Sequence, residues 1–244
     1  MLNSEQNAEV SDLWCLPLIP SICENANIMR NLIALLKSEK MKKIFFFILC
    51  FASLNMYGQE EFDGHKWEAP YHLPVPKDWG LERFLIPINF APSISYKGVE
   101  DIRFTPGWAK VKSDEYWTYA FLWYLDGTVK TDKKIIAKNL KAYYTGLFNI
   151  NTDSAKKAAV KLIPTTTAFK KASTNKGDLA TFSGTIEMMD YLQLKPIMLN
   201  CIAHLKRCPD GDKTILFYEL SPKPFTHNVW VSLNQLWLDF KCKK

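Results

Sequence analysis

The side chains here that can do chemistry are few: His204, the adjacent Glu100 and Asp101, Arg103 and Glu82. An imidazole titrates near neutrality, so His204 can serve as a general base. The simpler account makes it an exposed strand histidine beside Lys206. Glu100 and Asp101 are neighbours on an extended run and point to opposite faces, so they cannot act as a facing acid and base. Asp101 and Arg103 do share a face. They form either a local ion pair or a fork in which Arg103 takes a ligand carboxylate or sugar hydroxyl. A hydrolase built on Asp101, Arg103, Glu82 and His204 is therefore the catalytic alternative. His65 and His72 flank Trp67 with no third ligand at a useful offset, and no metal is expected. His227 falls in the first turn of the last helix. No Gly-x-Ser-x-Gly elbow, phosphate loop, dinucleotide fingerprint or His-Glu-x-x-His helix occurs, so no cofactor and no assigned catalytic residue are expected.

Aromatic density is the second lead. Seven tryptophans follow residue 58, more than a core of this size needs. Trp67, Trp79 and Trp108 fall in arm and loop positions, where they can stack on a sugar or an apolar ligand. Trp117, Trp123, Trp230 and Trp237 read as core. Three cysteines follow the same point, an odd count that permits one bridge and leaves one thiol. Cys208 and Cys242 sit at the ends of expected elements and are the first pair to test, against three reduced buried thiols. No Cys-x-x-Cys spacing supports zinc.

The elements that must position these groups begin after a leader. Lys42 and Lys43 precede eleven apolar residues, Ile44 to Leu54, and a short polar stretch ending in Gly58. That is the grammar of a secretory signal peptide, and the run falls short of the roughly 20 residues a membrane span needs. Met41 is then the expected start, residues 1–40 an upstream extension outside the native protein, and cleavage is expected after Gly58. Lipoprotein processing at Cys50 is disfavoured because Leu49 is not small. The membrane is thus met only through a transient leader, and the compartment is periplasmic or extracellular.

Residues 59–98 carry repeated Pro and aromatics, which forbid a long helix or a central strand. They are expected to form an extended arm packed on a domain over 99–244. Within it, alternation predicts strands at 99–104, 116–125, 158–162, 181–188, 197–206 and 215–220. A helix capped by Thr131 runs over 132–147, with Gly146 as its stop, and a second helix starts near Asn228. This order predicts an α+β fold, a curved antiparallel sheet with both helices on one face.

The chain carries 31 Lys or Arg against 25 Asp or Glu, a net charge of +6. Its basic residues are nearly all Lys, whereas phosphate forks and base reading favour Arg, so nucleic acid is not expected as a partner. The run Trp79-Gly-Leu-Glu-Arg-Phe, then Pro87, Phe90-Ala-Pro92 and Tyr96 through Phe104 with Pro106-Gly-Trp108, resembles uncharacterised exported bacterial proteins. The resemblance spans roughly 79–147, including Glu115–Tyr119 and Tyr143–Leu147. It implies secretion and transfers no activity. The expected function is a non-catalytic module that binds a small ligand or an envelope protein, with Trp67, Trp79, Trp108 and Arg103 as its contact residues.

Overall fold

The computed structural model describes residues 62–175, 177–208 and 212–243. The expectations for the extension, the leader and Cys50 therefore lie outside the described residues. The element order is β1 (Tyr71–His72), β2 (Gly80–Ile86), β3 (Gly98–Phe104), β4 (Tyr119–Asp126), α1 (Lys133–Asn151), α2 (Ser154–Ala158), β5 (Thr166–Lys171), β6 (Ala180–Asp190), β7 (Lys195–Cys208), β8 (Lys213–Ser221), α3 (Val229–Asp239) and β9 (Lys241–Cys242). Seven strands form one antiparallel sheet in the order β2-β3-β4-β8-β7-β6-β5, and β1 pairs with β9 in a small ribbon. The fold is α+β.

Strands β4 and β8 lie at the centre because both of their faces are apolar. On one side, Tyr119, Phe121, Trp123 and Leu125 join Leu216, Tyr218 and Leu220 beneath Ile136, Leu140 and Tyr143 of α1. On the other, Ala120, Leu122 and Tyr124 join Ile215 and Phe217 beneath Leu233, Leu236 and Trp237 of α3. The two long helices thus cover opposite faces, not the single face expected. A one-sided arrangement would leave the odd residues of β8 in water. Burying such side chains is worth about 2 kcal/mol each.

Five further expectations also change. Asp132, not Thr131, caps α1, accepting from the amides of Lys134 and Ile135. Gly146 does not stop that helix. It lets the backbone pass Phe90, whose carbonyl oxygen would lie 1.9 Å from an added Cβ. The strand expected at 158–162 is absent; Asp153 caps α2 there, as suits an Ala/Lys-rich run. Tyr116 and Trp117 precede β4, and Trp117 turns the chain at φ 53°. The segment expected as an arm supplies β1 and the edge strand β2, where flanking prolines are tolerated.

Candidate functional site

Strand register decides which candidate residues can meet. Arg83, Asp101, Leu122, Phe217 and His204 form one row across the α3 side of the sheet. Asp101 and His204 are three strands apart, about 14 Å at ~4.8 Å per strand spacing. Glu82 pairs with Ile102, whose side chain belongs to the α1-side core, so it projects from the other face. The four residues of the hydrolase alternative therefore cannot converge on one substrate atom. General acid–base partners must.

Asp101 and Arg103 do meet, in a buried clamp. Arg103 donates through Nε to the Pro74 carbonyl at 2.8 Å, through Nη1 to Asp101 Oδ1 and the Ile102 carbonyl, and through Nη2 to the Leu73 carbonyl and Asp101 Oδ2. That occupies all five guanidinium donors. The side chain is 1% exposed. The ion-pair reading of Arg103 accounts for its geometry, and no donor is left for an incoming carboxylate. Tyr71 donates its hydroxyl to Asp101 Oδ2 at 2.8 Å, and Arg83 Nε lies 3.2 Å from Oδ1. Burial, then the Asp101 charge, raises the Tyr71 pKa. The clamp fastens the chain around residues 64–74 to β2 and β3. Arg83 completes it by donating to the Gly64 and Trp67 carbonyls and lying 5.5 Å from the centre of the Trp67 ring.

His204 is 1% exposed, not a surface histidine. The α3 helix covers it, and Trp237 stacks on its ring at 4.9 Å. Its Nδ1 lies 2.7 Å from Asp178 Oδ2 and its Nε2 3.2 Å from Glu219 Oε1. Burial opposes the imidazolium, but the hydrogen bonds to the two carboxylates outweigh it and raise the pKa. Both ring nitrogens are engaged, so His204 ties β7, β8 and the turn at Asp178 together. Among the described residues, no group of three His, Cys, Asp or Glu side chains is placed to hold a metal.

Glu100 points into the α1-side core and accepts from Trp123 Nε1 at 3.2 Å. Burial raises its pKa to about 7, although hydrogen bonds from Trp123 and Tyr143 pull it back. The folded state therefore holds a proton that the unfolded chain releases near pH 4.5. Stability should fall by about 3 kcal/mol as pH rises from 4.5 to 7, and Glu100→Gln should flatten that slope in urea melts. An unchanged slope would mean that Glu100 is already ionised in the fold.

The concave site lies on the α3 side, at the sheet end formed by β2, β3 and β4. It is an open groove of about 610 Å³, walled by Trp67, Pro70, Leu85, Val99 and Tyr124. Its polar rim holds Glu68, Lys97, Asp126 and Lys213. Leu85 is 52% exposed, an apolar side chain left open to a ligand. Lys213 is held by Asp126 at 2.6 Å and lies 5.4 Å from the centre of the Tyr124 ring. Among the described residues, Lys97 has no carboxylate partner.

Of the three candidate tryptophans, only Trp67 lines this groove. Trp79 packs against the α3-side core, and Trp108 lies on Phe104 at 4.5 Å and beside Trp117. Tyr124, Leu85, Lys97 and Lys213 were not expected at a site. Tyr124 and Lys213 stand on strands that pair across 87 residues of sequence, which no local pattern reveals. No protein-family model, curated protein or solved structure matches the chain.

Proposed function

We propose that this protein is an exported, non-catalytic binding module, and that its groove takes a small ligand with an apolar or aromatic body and an acidic end. One observation carries the reading: an open, mainly apolar groove whose tryptophan wall is braced by a buried ion-pair clamp. Pockets of a few hundred Å³, apolar with a few polar groups, are the usual form of small-ligand sites. Lys97 at the rim, without a carboxylate partner among the described residues, suits a carboxylate or phosphate. The leader pattern at 41–58 and the Cys208–Cys242 disulfide support export, since disulfides persist in oxidising compartments. An envelope protein presenting an apolar side chain and an acidic group is the alternative occupant.

Tryptophan fluorescence titrated with fatty acids, glycans and envelope extracts tests the reading. A saturable change is expected with at least one acidic amphiphile, and Trp67→Phe should remove most of it. Leu85→Asp should weaken binding about tenfold, the scale of one buried aliphatic contact. Silence across all of these probes would remove the proposal.

A further inference from the structure

The two edges of the main sheet are finished differently. At β2 the chain around Gly64 lies against the strand. Arg83 donates to the Gly64 and Trp67 carbonyls, and a Cβ added at Gly64 would sit 2.5 Å from the Arg83 carbonyl oxygen. Strand β5, at the other edge, is left open. Among the described residues, no strand or loop backbone pairs with its outer side. The Ala172 amide donates to the Thr181 carbonyl at 2.9 Å, which sets the phase of the β5–β6 ladder. Thr166, Ala168 and Lys170 therefore bond to β6, while the amides and carbonyls of Thr167, Phe169 and Lys171 point away from the sheet. That row alternates donors and acceptors, and its complement is another extended peptide backbone. Phosphate groups, whether of a lipid or a nucleic acid, accept only and would leave the three carbonyls unanswered.

Charge selects among peptides. Lys170 and Lys171 stand on the strand itself, both exposed. The Thr167 hydroxyl donates to the Ala137 carbonyl at 2.8 Å, which identifies the flank of α1 that reaches β5. Lys134 and Lys141 lie three residues before and four after Ala137, so they share that flank, and both are exposed. Asp132 caps the helix beside Lys134, and Glu187 accepts from the Thr166 hydroxyl at 3.3 Å. Among the described residues, Lys141, Lys170 and Lys171 have no carboxylate partner. A second copy of this chain is a poor occupant. Joining two β5 strands would bring together two stretches, 130–171, that each hold ten Lys against two Asp. Lysine on an edge strand opposes that kind of self-pairing.

We infer that β5 takes an acidic, extended segment of a partner protein as an added strand, its backbone bonding to Thr167, Phe169 and Lys171 and its carboxylates meeting Lys141, Lys170 and Lys171. Strand addition draws affinity from the main chain and specificity from alternate side chains. The inference is independent of the groove, which is walled by residues of β2, β3 and β4 toward the opposite edge of the sheet.

A fluorescein-labelled decapeptide of alternating Glu and Thr tests it, beside a counterpart with Gln for Glu and one with every amide N-methylated. The acidic peptide should bind about tenfold more tightly than the Gln peptide at low salt, the combined worth of about three exposed ion pairs. Raised salt should remove that difference. The N-methylated peptide keeps the charge, lacks the donors and should not bind. Residue-resolved amide exchange should show new protection at Thr167, Phe169 and Lys171 in the complex, whereas Ala168 and Lys170 are protected already. A triple variant, Lys141→Gln, Lys170→Gln and Lys171→Gln, should lose the preference for Glu while keeping its melting curve. Absence of binding, or equal binding of the acidic and Gln peptides, would overturn the inference. Binding without the new protection would overturn it too, by reducing the lysines to diffuse attraction. So would a stable dimer of the protein alone with those amides protected, which would give the edge to a second copy.

Discussion

Replacing Asp101 with Asn should destabilise the protein by about 3–5 kcal/mol, the usual cost of leaving a buried ion pair with one partner. The expectation is at the upper end because one carboxylate serves three groups: Arg103, Arg83 and the Tyr71 hydroxyl. Removing its charge leaves a guanidinium that is 1% exposed without a counter-ion. By comparison, Tyr71→Phe removes one neutral donor and should cost about 1 kcal/mol. The loss should also be visible locally. Arg83 holds the Trp67 carbonyl and faces the Trp67 ring, so Asp101→Asn should loosen the groove wall and change Trp67 emission before global unfolding. Urea melts followed by fluorescence and circular dichroism measure both effects. A destabilisation under 1 kcal/mol would show that the clamp does not organise the fold.

Breaking the disulfide should be nearly as costly. Cys208 and Cys242 close a loop of sequence separation 34, and chain-entropy reasoning gives about 4 kcal/mol for a loop of that size. The bond also has a local duty. It holds β9 beside β1, where Tyr71 pairs with Cys242 and the Lys243 amide donates to the Pro70 carbonyl at 3.3 Å. Pro70 is part of the groove wall. A Cys208→Ser, Cys242→Ser variant should therefore melt well below the oxidised protein and bind any groove ligand more weakly. Cys201 is buried, and burial raises its thiol pKa, so its thiol should stay unreactive in both proteins. Equal melting temperatures with and without reductant would contradict this account.

Legibility in the sequence followed the range of the interactions. Alternation located β3, β6, β7 and β8 within a few residues, because each strand's pattern is set by its own two faces. The same reasoning recognised β4 as covered on both sides. It did not assign α3 to the second side, because the helix covering a face is fixed by contacts far away in sequence. Strand β5 leaves little trace in the sequence, because Thr166–Lys171 is a mostly exposed edge with little apolar contrast. The pairing of Cys208 with Cys242 was legible from element ends. The burial of His204 is not legible in its own strand. Its partners Asp178 and Glu219 lie 26 and 15 residues away, and only the packing of Trp237 turns that face into an interior. Asp101 and Arg103 could be paired from their spacing, but Tyr71 and Arg83 complete the clamp from segments 30 and 18 residues upstream of Asp101. The groove was half visible. Trp67 stood out as an aromatic outside the strand pattern, whereas Tyr124 and Leu85 looked like ordinary strand residues.

Native mass spectrometry of the protein recovered from the cells that make it addresses the central claim, an exported module with an occupied groove, most directly. The account predicts a chain beginning at Gln59, oxidised at Cys208 and Cys242, carrying a small-molecule adduct that the Leu85→Asp variant lacks. A bare chain in both proteins, still carrying the leader at 41–58, would contradict it.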